Sequence, residues 1–375
     1  MKHLTGERAM KRVLFLTTYA SPYRVHFFDA LGEMLEVTVL FSERVEEKKH
    51  RSADWFVDGS GHFTWVQLEK QLFSIQKKDL CLDVLKWLKK PWDEIVLCGY
   101  SSPTVMLAIA YLRMKKIPFW MEVDGGLIRE DSRLQYRFKK MLVCSASGWL
   151  STGKATTDYL VHYGARRDAV REYPFSSLWE ADILKRSVTR EQKLEFRREL
   201  GMEEEKVILS IGQFIHRKGY DVLMKAAVHL GSDTGIYIVG GEPTEEYLNL
   251  CRELGLENIH FEGFKKKEAL VKYYQAADLF VLPTREDIWG LVVNEAMAFG
   301  LPVITTDRCV AGLELVEDGV TGYIVPVGDA DALAEKMNKT LAGNCETMGA
   351  AALEKVRPYT IENMARVHQL NFERG

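Results

Sequence analysis

The sequence predicts an α/β protein made of two doubly wound domains in tandem, and three observations support this. The chain has 375 residues, which is more than a single hydrophobic core usually serves. Its strand-like segments are short, continuous apolar runs, as in parallel sheets that are covered on both faces. These runs alternate with helical patterns through the first half of the chain, and the same alternation restarts in the second half.

The first series of elements predicts an N-terminal domain over residues 1–175. Its predicted strands are apolar or β-branched runs, at Lys11–Thr18, Glu36–Phe41, Ile95–Gly99, Pro118–Val123 and Trp149–Ser151. A helical pattern at Val25–Leu35 follows the first strand. The segment Gln76–Lys90 reads as a basic amphipathic helix, which would either cover the sheet or lie on an anionic membrane.

The second series predicts a C-terminal domain over residues 191–357, after a linker at 176–190. Its strands are predicted at Lys206–Ile211, Gly235–Val239, Ile259–Glu262, Leu279–Leu282 and Pro302–Thr305. The helices between them are predicted at Tyr220–Leu230, Tyr247–Leu254, Lys267–Ala277 and Leu291–Phe299. A last helix, Ile361–Phe372, lies beyond the strands that this domain needs. We therefore expect residues 358–375 to cross back and complete the first domain.

Composition and charge narrow the class of protein. A chain with 47% hydrophobic and 27% charged residues is typical of a soluble globular protein, and its six scattered cysteines indicate neither a disulfide framework nor a zinc site. No apolar run is long enough to span a membrane, and the N-terminus lacks the apolar middle of a secretory signal. The expectation is a cytoplasmic protein, either free or at the inner face of the membrane.

The two halves of the chain differ in charge. Residues 1–175 carry 27 basic and 21 acidic side chains, a net charge of +6, and the remaining 200 residues carry 23 and 32, a net charge of −9. The basic half would suit an anionic partner such as a lipid phosphate or a membrane surface. The alternative is an ordinary asymmetry between two solvated domains. No nucleic-acid partner is expected.

One loop of the second domain has the residues to bind a diphosphate. Ligands of open α/β sheets bind beyond the carboxyl ends of the strands. The loop Gly212–Gly219 follows such a strand and carries Arg217 and Lys218 beside its glycines. Arginine offers a planar fork and lysine a point charge to phosphate oxygens. The alternative is a solvated turn.

Two further loops give weaker signals. Gly240 and Gly241 follow a strand, and paired glycines allow a ligand to approach the backbone closely. Gly263 and Phe264 follow the next strand, where a nucleobase could lie against the backbone. Glycines after a strand are also ordinary turn residues.

The strongest loop is Leu282–Met297. Gly290 opens a helix whose free N–H groups and dipole favour an anion. Asp287 precedes this helix, and Glu295 lies about one and a half turns inside it, on a mostly apolar helix. A buried carboxylate there needs partners. The hydroxyl groups of a ribose would serve, and a buried Arg or Lys is the structural alternative.

With these motifs, residues 207–325 resemble the donor domain of the retaining glycosyltransferases of family 4. A loop ending in Lys-Gly is similar to Arg217-Lys218-Gly219. The family's block of Glu, seven residues and Glu, running into Ala-Met-Ala-x-Gly-x-Pro-Val, is similar to Asp287 through Glu295 and the following AMAFGLPVI. A later Asp-Gly-x-x-Gly resembles Asp318–Gly322. The resemblance implies the GT-B fold, two Rossmann-like domains facing across a cleft.

The resemblance also implies an activity. The family moves a sugar from a nucleoside-diphosphate sugar to an acceptor with retention of configuration. For this chain it implies a metal-independent, hexosyltransferase-type enzyme with no cofactor, a UDP- or GDP-linked donor and a glycan or lipid-linked acceptor. The expected pathway is the synthesis of surface polysaccharide or glycolipid, which would make the chain a peripheral membrane protein.

The resemblance also implies roles for single residues, by their positions in the matching motifs. Arg217 and Lys218 would neutralise the diphosphate leaving group, Glu295 would hold the ribose, and Asp287 would touch the sugar hydroxyls. The backbone around the helix start would line the phosphate and sugar site, at Gly290, Leu291 and Val292. By their places after the strands, rather than by the resemblance, four glycines and one aromatic residue would complete the donor site, namely Gly212, Gly240, Gly241, Gly263 and Phe264.

Two residues depart from the family pattern. The first Glu of the block is Asp287 in this chain, unless Glu286 serves from one position earlier. The Arg that usually follows the strand glycine is Gln213, so Arg217 would supply that charge.

The acceptor side is less specific. Many relatives have a His after an N-domain strand, and the comparable stretch Trp120–Gly126 offers Asp124, which would orient or deprotonate the acceptor hydroxyl. The alternative is an ordinary Asp-Gly-Gly turn. Arg24, after the first strand, would contact the donor phosphate or an acidic acceptor, and the alternative is a surface cation.

Three other functions fit this fold class. A nucleotide-sugar epimerase would act on the donor without an acceptor. A phosphorylase would need a lysine that carries pyridoxal phosphate. A nucleotide-sugar-binding module would bind the donor without turnover.

Overall fold

Two parallel β-sheets organise the chain, one in each of two units. The computed structural model describes residues 10–43, 61–69, 71–75, 78–343 and 345–373. The boundary between the units falls between Ser176 and Ser177, and the chain returns to the first unit after Tyr359.

The first unit contains a seven-stranded sheet of order β3-β2-β1-β6-β7-β8-β9, in which every neighbouring pair is parallel. Its strands are β1 Arg12–Thr17, β2 Glu36–Phe41, β3 Thr64–Gln67, β6 Glu94–Cys98, β7 Trp120–Val123, β8 Gly148–Ser151 and β9 Val170–Glu172. Two further strands, β4 Gln71–Ile75 and β5 Lys78–Cys81, form an antiparallel pair. The predicted strands of the first half coincide with members of the large sheet, because buried apolar runs are the clearest strand signal.

The helices of the first unit include one from the end of the chain. They are α1 Pro22–Gly32, α2 Val84–Trp87, α3 Pro103–Lys115, α4 Arg133–Val143, α5 Lys154–His162 and α14 Ile361–Glu373. The helix predicted to cross back, α14, packs on α1 and on the sheet. Its Phe372 ring lies 6.2 Å from that of Phe15, and its His368 ring lies 4.7 Å from that of Phe27.

The prediction of an amphipathic helix over Gln76–Lys90 is wrong. Residues 76 and 77 lie outside the described part of the chain, and the rest forms β5 followed by the single helical turn α2. The backbone N–H of Cys81 donates to the Thr104 hydroxyl at 2.9 Å, and Val84 and Leu88 are buried in the core. Tertiary contacts therefore override the helical pattern, and the buried Val84 and Leu88 are not available to a membrane.

The second unit is built on a six-stranded parallel sheet of order β12-β11-β10-β13-β14-β15. Its strands are β10 Lys206–Ile211, β11 Thr234–Val239, β12 Ile259–Glu262, β13 Leu279–Leu282, β14 Val303–Thr306 and β15 Gly322–Val325. Its helices are α6 Arg190–Leu200, α7 Tyr220–Ala227, α8 Glu245–Leu254, α9 Lys267–Ala276, α10 Leu291–Ala298, α11 Val310–Leu315, α12 Ala330–Ala342 and α13 Cys345–Val356.

The segment predicted as a linker, residues 176–190, is packed on the second unit. The Leu184 N–H donates to the carbonyl of Ala298 at 3.0 Å. Helix α6 then begins after Thr189, whose hydroxyl accepts from the Gln192 N–H in a capping box. Arg197 of α6 is buried and bonds the Ala276 carbonyl and the Asp278 carboxylate. The chain from Ser177 onward therefore belongs to the second unit.

No helix in the described part of the chain is both long enough and apolar enough to cross a lipid bilayer.

Candidate functional site

The candidate donor site lies where the strand order of the second sheet reverses. Strand β10 pairs with β11 on one side and with β13 on the other. Successive strands therefore run outward from β10 on one side of the sheet and outward from β13 on the other. The loops after these two strands diverge, and in open α/β sheets a crevice lies between them at the carboxyl ends of the strands. The loops that follow these two strands are the ones that the sequence singled out for diphosphate binding.

These two loops are packed closely against each other. The loop after β10 makes one 3₁₀ turn, His216–Lys218, and ends at Gly219 with φ 72°, directly before α7. A Cβ atom on Gly219 would lie 2.1 Å from the carbonyl oxygen of Pro283 in the loop after β13. The N–H of Arg285 donates to the Arg217 carbonyl at 2.7 Å. Glycine is thus required at 219 both by the left-handed backbone and by the contact with the second loop.

This packing brings the predicted cations onto one carboxylate. The Lys218 ammonium lies 2.7 Å from one oxygen of Asp287, and the Arg217 guanidinium lies 3.3 Å from the other. Lys218 and Asp287 are largely buried, whereas Arg217 is exposed. Because a carboxylate holds both cations at one place, their side chains are ordered before any anion arrives.

Both acidic candidates of this loop are in contact with Arg217. Arg217 donates to the backbone carbonyl of Glu286 at 2.7 Å and forms its ion pair with the carboxylate of Asp287. The carboxylate of Asp287 therefore faces both Arg217 and Lys218.

A second ion pair holds the loops and was missed by the sequence analysis. Arg285 makes two hydrogen bonds to Asp221 of α7, at 2.8 and 2.7 Å, and a third to the His216 carbonyl at 2.8 Å. The Asp221 hydrogen bonds raise the pKa of Arg285 against the opposing effect of burial. The only sequence signal was an arginine in a loop and an aspartate in the first turn of a helix, separated by 64 positions.

The start of α10 is fixed by backbone hydrogen bonds to the next loop. The N–H of Asp287 donates to the Arg308 carbonyl, and the N–H of Val310 donates back to the Asp287 carbonyl. Gly290 is the N-cap, and Leu291 and Val292 form the first turn. First-turn N–H groups lack partners within their own helix, so this rigid helix start is suited to an anion.

Glu295 has partners other than the buried Arg or Lys of the structural alternative. The hydroxyl of Tyr274 donates to one carboxylate oxygen at 2.7 Å, and that of Ser177 lies 3.5 Å from the other. Burial raises the pKa of Glu295 above its ordinary value, against these two hydrogen bonds and the nearby Lys267. The carboxylate is thus held by neutral donors. Tyr274 was not identified from the sequence.

Gly240 is needed for packing between strand ends. A Cβ atom at this position would lie 2.0 Å from the Gly212 carbonyl oxygen, because the loops after β10 and β11 are in contact. Gly241 follows with φ 128° and open space around it, and Gly263 also faces open space. Phe264 is 59% exposed at this same edge of the sheet. Gly241 and Gly263 therefore leave room after the ends of β11 and β12.

In the first unit, the structure brings Arg24 and Asp124 together. Arg24 is only 3% exposed, which excludes the alternative of a surface cation. Its guanidinium forms ion pairs with Asp124 and with Glu122, the latter at 2.9 Å. Glu122 lies inside β7 and was not a candidate from the sequence, because nothing in a strand reading TrpMetGluVal indicates its partner.

The residues that the structure describes contain no group of three or more His, Cys, Asp or Glu side chains that could hold a metal ion. The Asp-x-Asp sequence at Asp329–Asp331 lies at the start of α12, where the Asp329 carboxylate accepts from the Ala332 N–H at 2.9 Å and so caps the helix.

Sequence comparisons relate the second unit to a known family. Residues 192–355 match the family model of the group 1 glycosyl transferases. An uncharacterized glycosyltransferase of Methanocaldococcus jannaschii is 29% identical over 226 residues, which cover 58% of this chain and 57% of that protein. A D-inositol 3-phosphate glycosyltransferase of Corynebacterium aurimucosum is 30% identical over 56% of this chain and 52% of its own length. The chain thus aligns with little more than half the length of these relatives.

Comparisons of structure cover nearly the whole chain. Sucrose-phosphate synthase from Thermosynechococcus elongatus matches with a TM-score of 0.74 at 21% identity, over 96% of this chain and 98% of that one. HepE from Anabaena in complex with UDP matches with a TM-score of 0.73 at 18% identity, over 95% and 97%. At these identities the likeness establishes the fold, and it confirms the predicted fold class. Residues 192–355 therefore match the group 1 glycosyl transferases, and the chain has the GT-B fold of two Rossmann-like domains.

Proposed function

We propose that this chain is a retaining glycosyltransferase that moves a sugar from a nucleoside-diphosphate sugar to a glycan or lipid-linked acceptor. The observation that carries the proposal is the Lys218–Asp287–Arg217 cluster at the switch point of the second sheet. The match to group 1 glycosyl transferases covers this cluster. The UDP and UDP-glucose complexes of HepE support a nucleotide-sugar donor.

The cations would stabilise the leaving group. As the bond between the sugar and the diphosphate breaks, negative charge develops on the diphosphate oxygens. Lys218 and Arg217 would take up this charge together with the N–H groups of the first turn of α10, formed by Leu291 and Val292. These cations and N–H groups would do the work of charge stabilisation that a bound metal ion can do, so we propose metal-independent transfer.

The remaining donor contacts follow from the positions of the side chains. Glu295 would accept two hydrogen bonds from the ribose diol, and Asp287, at the junction between cations and helix, would contact the sugar hydroxyls. The open strand ends at Gly241, Gly263 and Phe264 would receive the base. In the first unit, Asp124 would orient or deprotonate the acceptor hydroxyl.

A pH experiment tests the role of Glu295. A carboxylate can accept both ribose hydrogen bonds and a protonated carboxyl cannot, so the affinity for UDP should fall as the pH drops through the raised pKa of Glu295. We expect Glu295→Gln to lose about 1.5–3 kcal/mol of UDP binding and most of this pH dependence, as measured by calorimetry. Glu246→Gln, on the exposed face of α8, is the matched control. Equal UDP affinity and equal pH dependence in the Glu295 variant and the wild type would exclude ribose binding by this carboxylate.

The transfer reaction is distinguished from its alternative by the need for an acceptor. With a nucleotide-sugar donor and a candidate acceptor, we expect release of nucleoside diphosphate only when both are present, and NMR of the product should show the anomeric configuration of the donor. An isomerised donor sugar in the absence of acceptor would instead identify an epimerase, an alternative that the glycosyltransferase relatives do not favour.

We propose further that the acceptor is reached at a membrane surface, in surface polysaccharide or glycolipid assembly. The structure of WaaG, a glycosyltransferase of lipopolysaccharide biosynthesis, matches with a TM-score of 0.66. Helix α4 supports membrane contact because it exposes an apolar stripe, Leu134, Phe138 and Met141, with Leu134 79% exposed. Three cations lie beside that stripe, also exposed, at Arg133, Arg137 and Lys140. Apolar residues flanked by cations suit an anionic bilayer.

Vesicle sedimentation tests this surface. We expect the protein to bind phosphatidylcholine vesicles that contain phosphatidylglycerol, more weakly as salt is raised, and the double variant Leu134→Gln, Phe138→Gln to lose most of the binding. Met114→Gln, which changes a 70% exposed methionine on α3, is the control. Equal binding by the double variant and the wild type would rule out α4 as the contact.

A further inference from the structure

Beneath Asp124, the first unit buries a cluster of ionisable groups that comes from four separate segments. Arg24 lies on α1, Glu122 on β7, Tyr173 after β9 and His368 on α14. Glu122 and His368 are fully buried, and the Asp124 side chain is 31% exposed. Burying charges is costly unless each one is paired, so the pairing within this cluster determines its properties.

Glu122 is at the centre of the cluster. One carboxylate oxygen accepts from the Arg24 guanidinium at 2.9 Å and from the Cys98 thiol at 3.0 Å, and the other accepts from the Tyr173 hydroxyl at 2.9 Å. The second guanidinium nitrogen of Arg24 donates to Asp124. The guanidinium therefore bridges a buried carboxylate and a partly exposed one, and Glu122 fixes its position.

His368 brings the C-terminal helix into this cluster. Its Nδ1 lies 2.8 Å from the carbonyl oxygen of Met364, and its Nε2 lies 3.6 Å from Glu122. Both ring nitrogens therefore face oxygen acceptors. The separation between Nε2 and Glu122 is longer than a hydrogen bond, so Nε2 is a buried ring nitrogen that faces the carboxylate without a hydrogen-bond partner in the described part of the chain.

We propose that His368 and Glu122 are positioning residues for the acceptor side of the reaction. Glu122, which faces His368 and accepts a hydrogen bond from Tyr173, holds the Arg24 guanidinium, which in turn holds the Asp124 carboxylate at the rim of the sheet. The expected effect on turnover rests on the proposed function, in which Asp124 acts on the acceptor hydroxyl. It extends the site to α14, which lies outside the segment that matches the family.

The electrostatics of the cluster agree with this arrangement. Burial raises the pKa of Glu122, but Arg24 and His368 outweigh it and hold that pKa well below its usual range. Burial raises the pKa of Asp124, Arg24 lowers it and Glu122 raises it, with a net increase. Asp124 is therefore the carboxylate whose protonation responds to changes in the cluster. The other ionisable groups that face the cluster are Cys98 of β6, Tyr23 of α1 and Tyr173.

His368→Phe tests the proposal, because it removes both ring-nitrogen contacts and keeps an aromatic ring between Phe27 and Tyr173. Without a ring nitrogen beside Glu122, that carboxylate should draw the Arg24 guanidinium away from Asp124. The pKa of Asp124, which Arg24 lowers, should then rise, as measured by ¹³C NMR titration of its carboxyl carbon. It should also lower kcat/KM for the acceptor on the order of 10- to 100-fold and move the acid limb of its pH profile upward, with the affinity for UDP unchanged. His368→Gln, which restores a neutral donor, should recover part of the loss.

The matched control is Phe372→Leu, in the same helix and packed on Phe15 and Trp120. It should lower the Tm without moving the titration of Asp124. Tyr173→Phe, which deletes only a hydroxyl, should shift that titration in the same direction as His368→Phe and serves if the latter fails to fold. An unmoved Asp124 titration in the His368 or Tyr173 variant would overturn the positioning role. A shifted titration in a protein without acceptor-dependent turnover would leave the cluster standing and contradict the proposed function.

Discussion

Replacing Lys218 by Ala is expected to lower kcat for sugar transfer by about 10²- to 10³-fold. The ammonium is largely buried and lies 2.7 Å from Asp287, so its position is fixed before the donor binds. Its loss would remove stabilisation of the departing diphosphate at the moment when negative charge develops. It would also leave the Asp287 carboxylate with only the exposed Arg217 as a cation, 3.3 Å away, and this carboxylate would then repel the phosphate. Steady-state kinetics with a nucleotide-sugar donor would measure the effect.

Lys225→Ala is the matched control for this variant. Lys225 is an exposed lysine in the last turn of α7, the helix that begins directly after the Lys218 loop. It should have wild-type kinetics. Lys218→Arg keeps the charge with a different shape and should fall between Ala and the wild type. Near-normal turnover by Lys218→Ala, in a protein with unchanged Tm, would contradict a role for this cation in leaving-group departure.

Gly219→Ala is expected to destabilise the second unit by about 2–5 kcal/mol. Two effects add at this position. The backbone has φ 72°, where a Cβ atom is disfavoured, and that atom would lie 2.1 Å from the Pro283 carbonyl oxygen. The clashing atom is a backbone oxygen of the residue that follows β13. The clash could therefore be relieved only if the two site loops separated. Denaturant unfolding would give the loss of stability, and the same variant should lose turnover because Lys218 moves away from Asp287.

Gly255→Ala separates these two effects. Gly255 ends α8 with φ 65°, nearly the same backbone conformation, but no atom lies within 4 Å of its Cβ position. Replacing Gly255 by Ala should lower the free energy of unfolding only by the strain of a left-handed backbone, about 1–2 kcal/mol. Turnover should be unchanged. Equal losses of stability in the two variants would show that the contact between the loops after β10 and β13 is unimportant.

The features that sequence could predict are those with a local signal. Buried parallel strands are apolar runs, and strands such as Glu36–Phe41, Lys206–Ile211 and Ile259–Glu262 have the predicted bounds in the structure. Arg217, Lys218 and Asp287 were identified because they lie in loops at the carboxyl ends of strands, where a parallel sheet gathers its functional groups.

The partners of these residues had no such signal. Tyr274 bonds Glu295 from another helix, Asp221 pairs with Arg285 across 64 positions, and His368 reaches Glu122 from the end of the chain. Each of these pairings depends on how elements pack, and neither composition nor periodicity records it.

The amphipathic pattern at Gln76–Lys90 failed for a related reason. Its periodicity is real, but the Thr104 hydroxyl that accepts from Cys81 belongs to another element, and Lys78–Cys81 pairs as a strand. A short apolar pattern does not distinguish a helix from a buried strand and turn.

A crystal structure of the chain with bound UDP would test the central claim most directly. The account predicts that the diphosphate lies between the Lys218 ammonium and the first turn of α10, with the ribose hydroxyls on Glu295. Density for the nucleotide at another place on the second sheet, with the Lys218–Asp287 pair untouched, would contradict it.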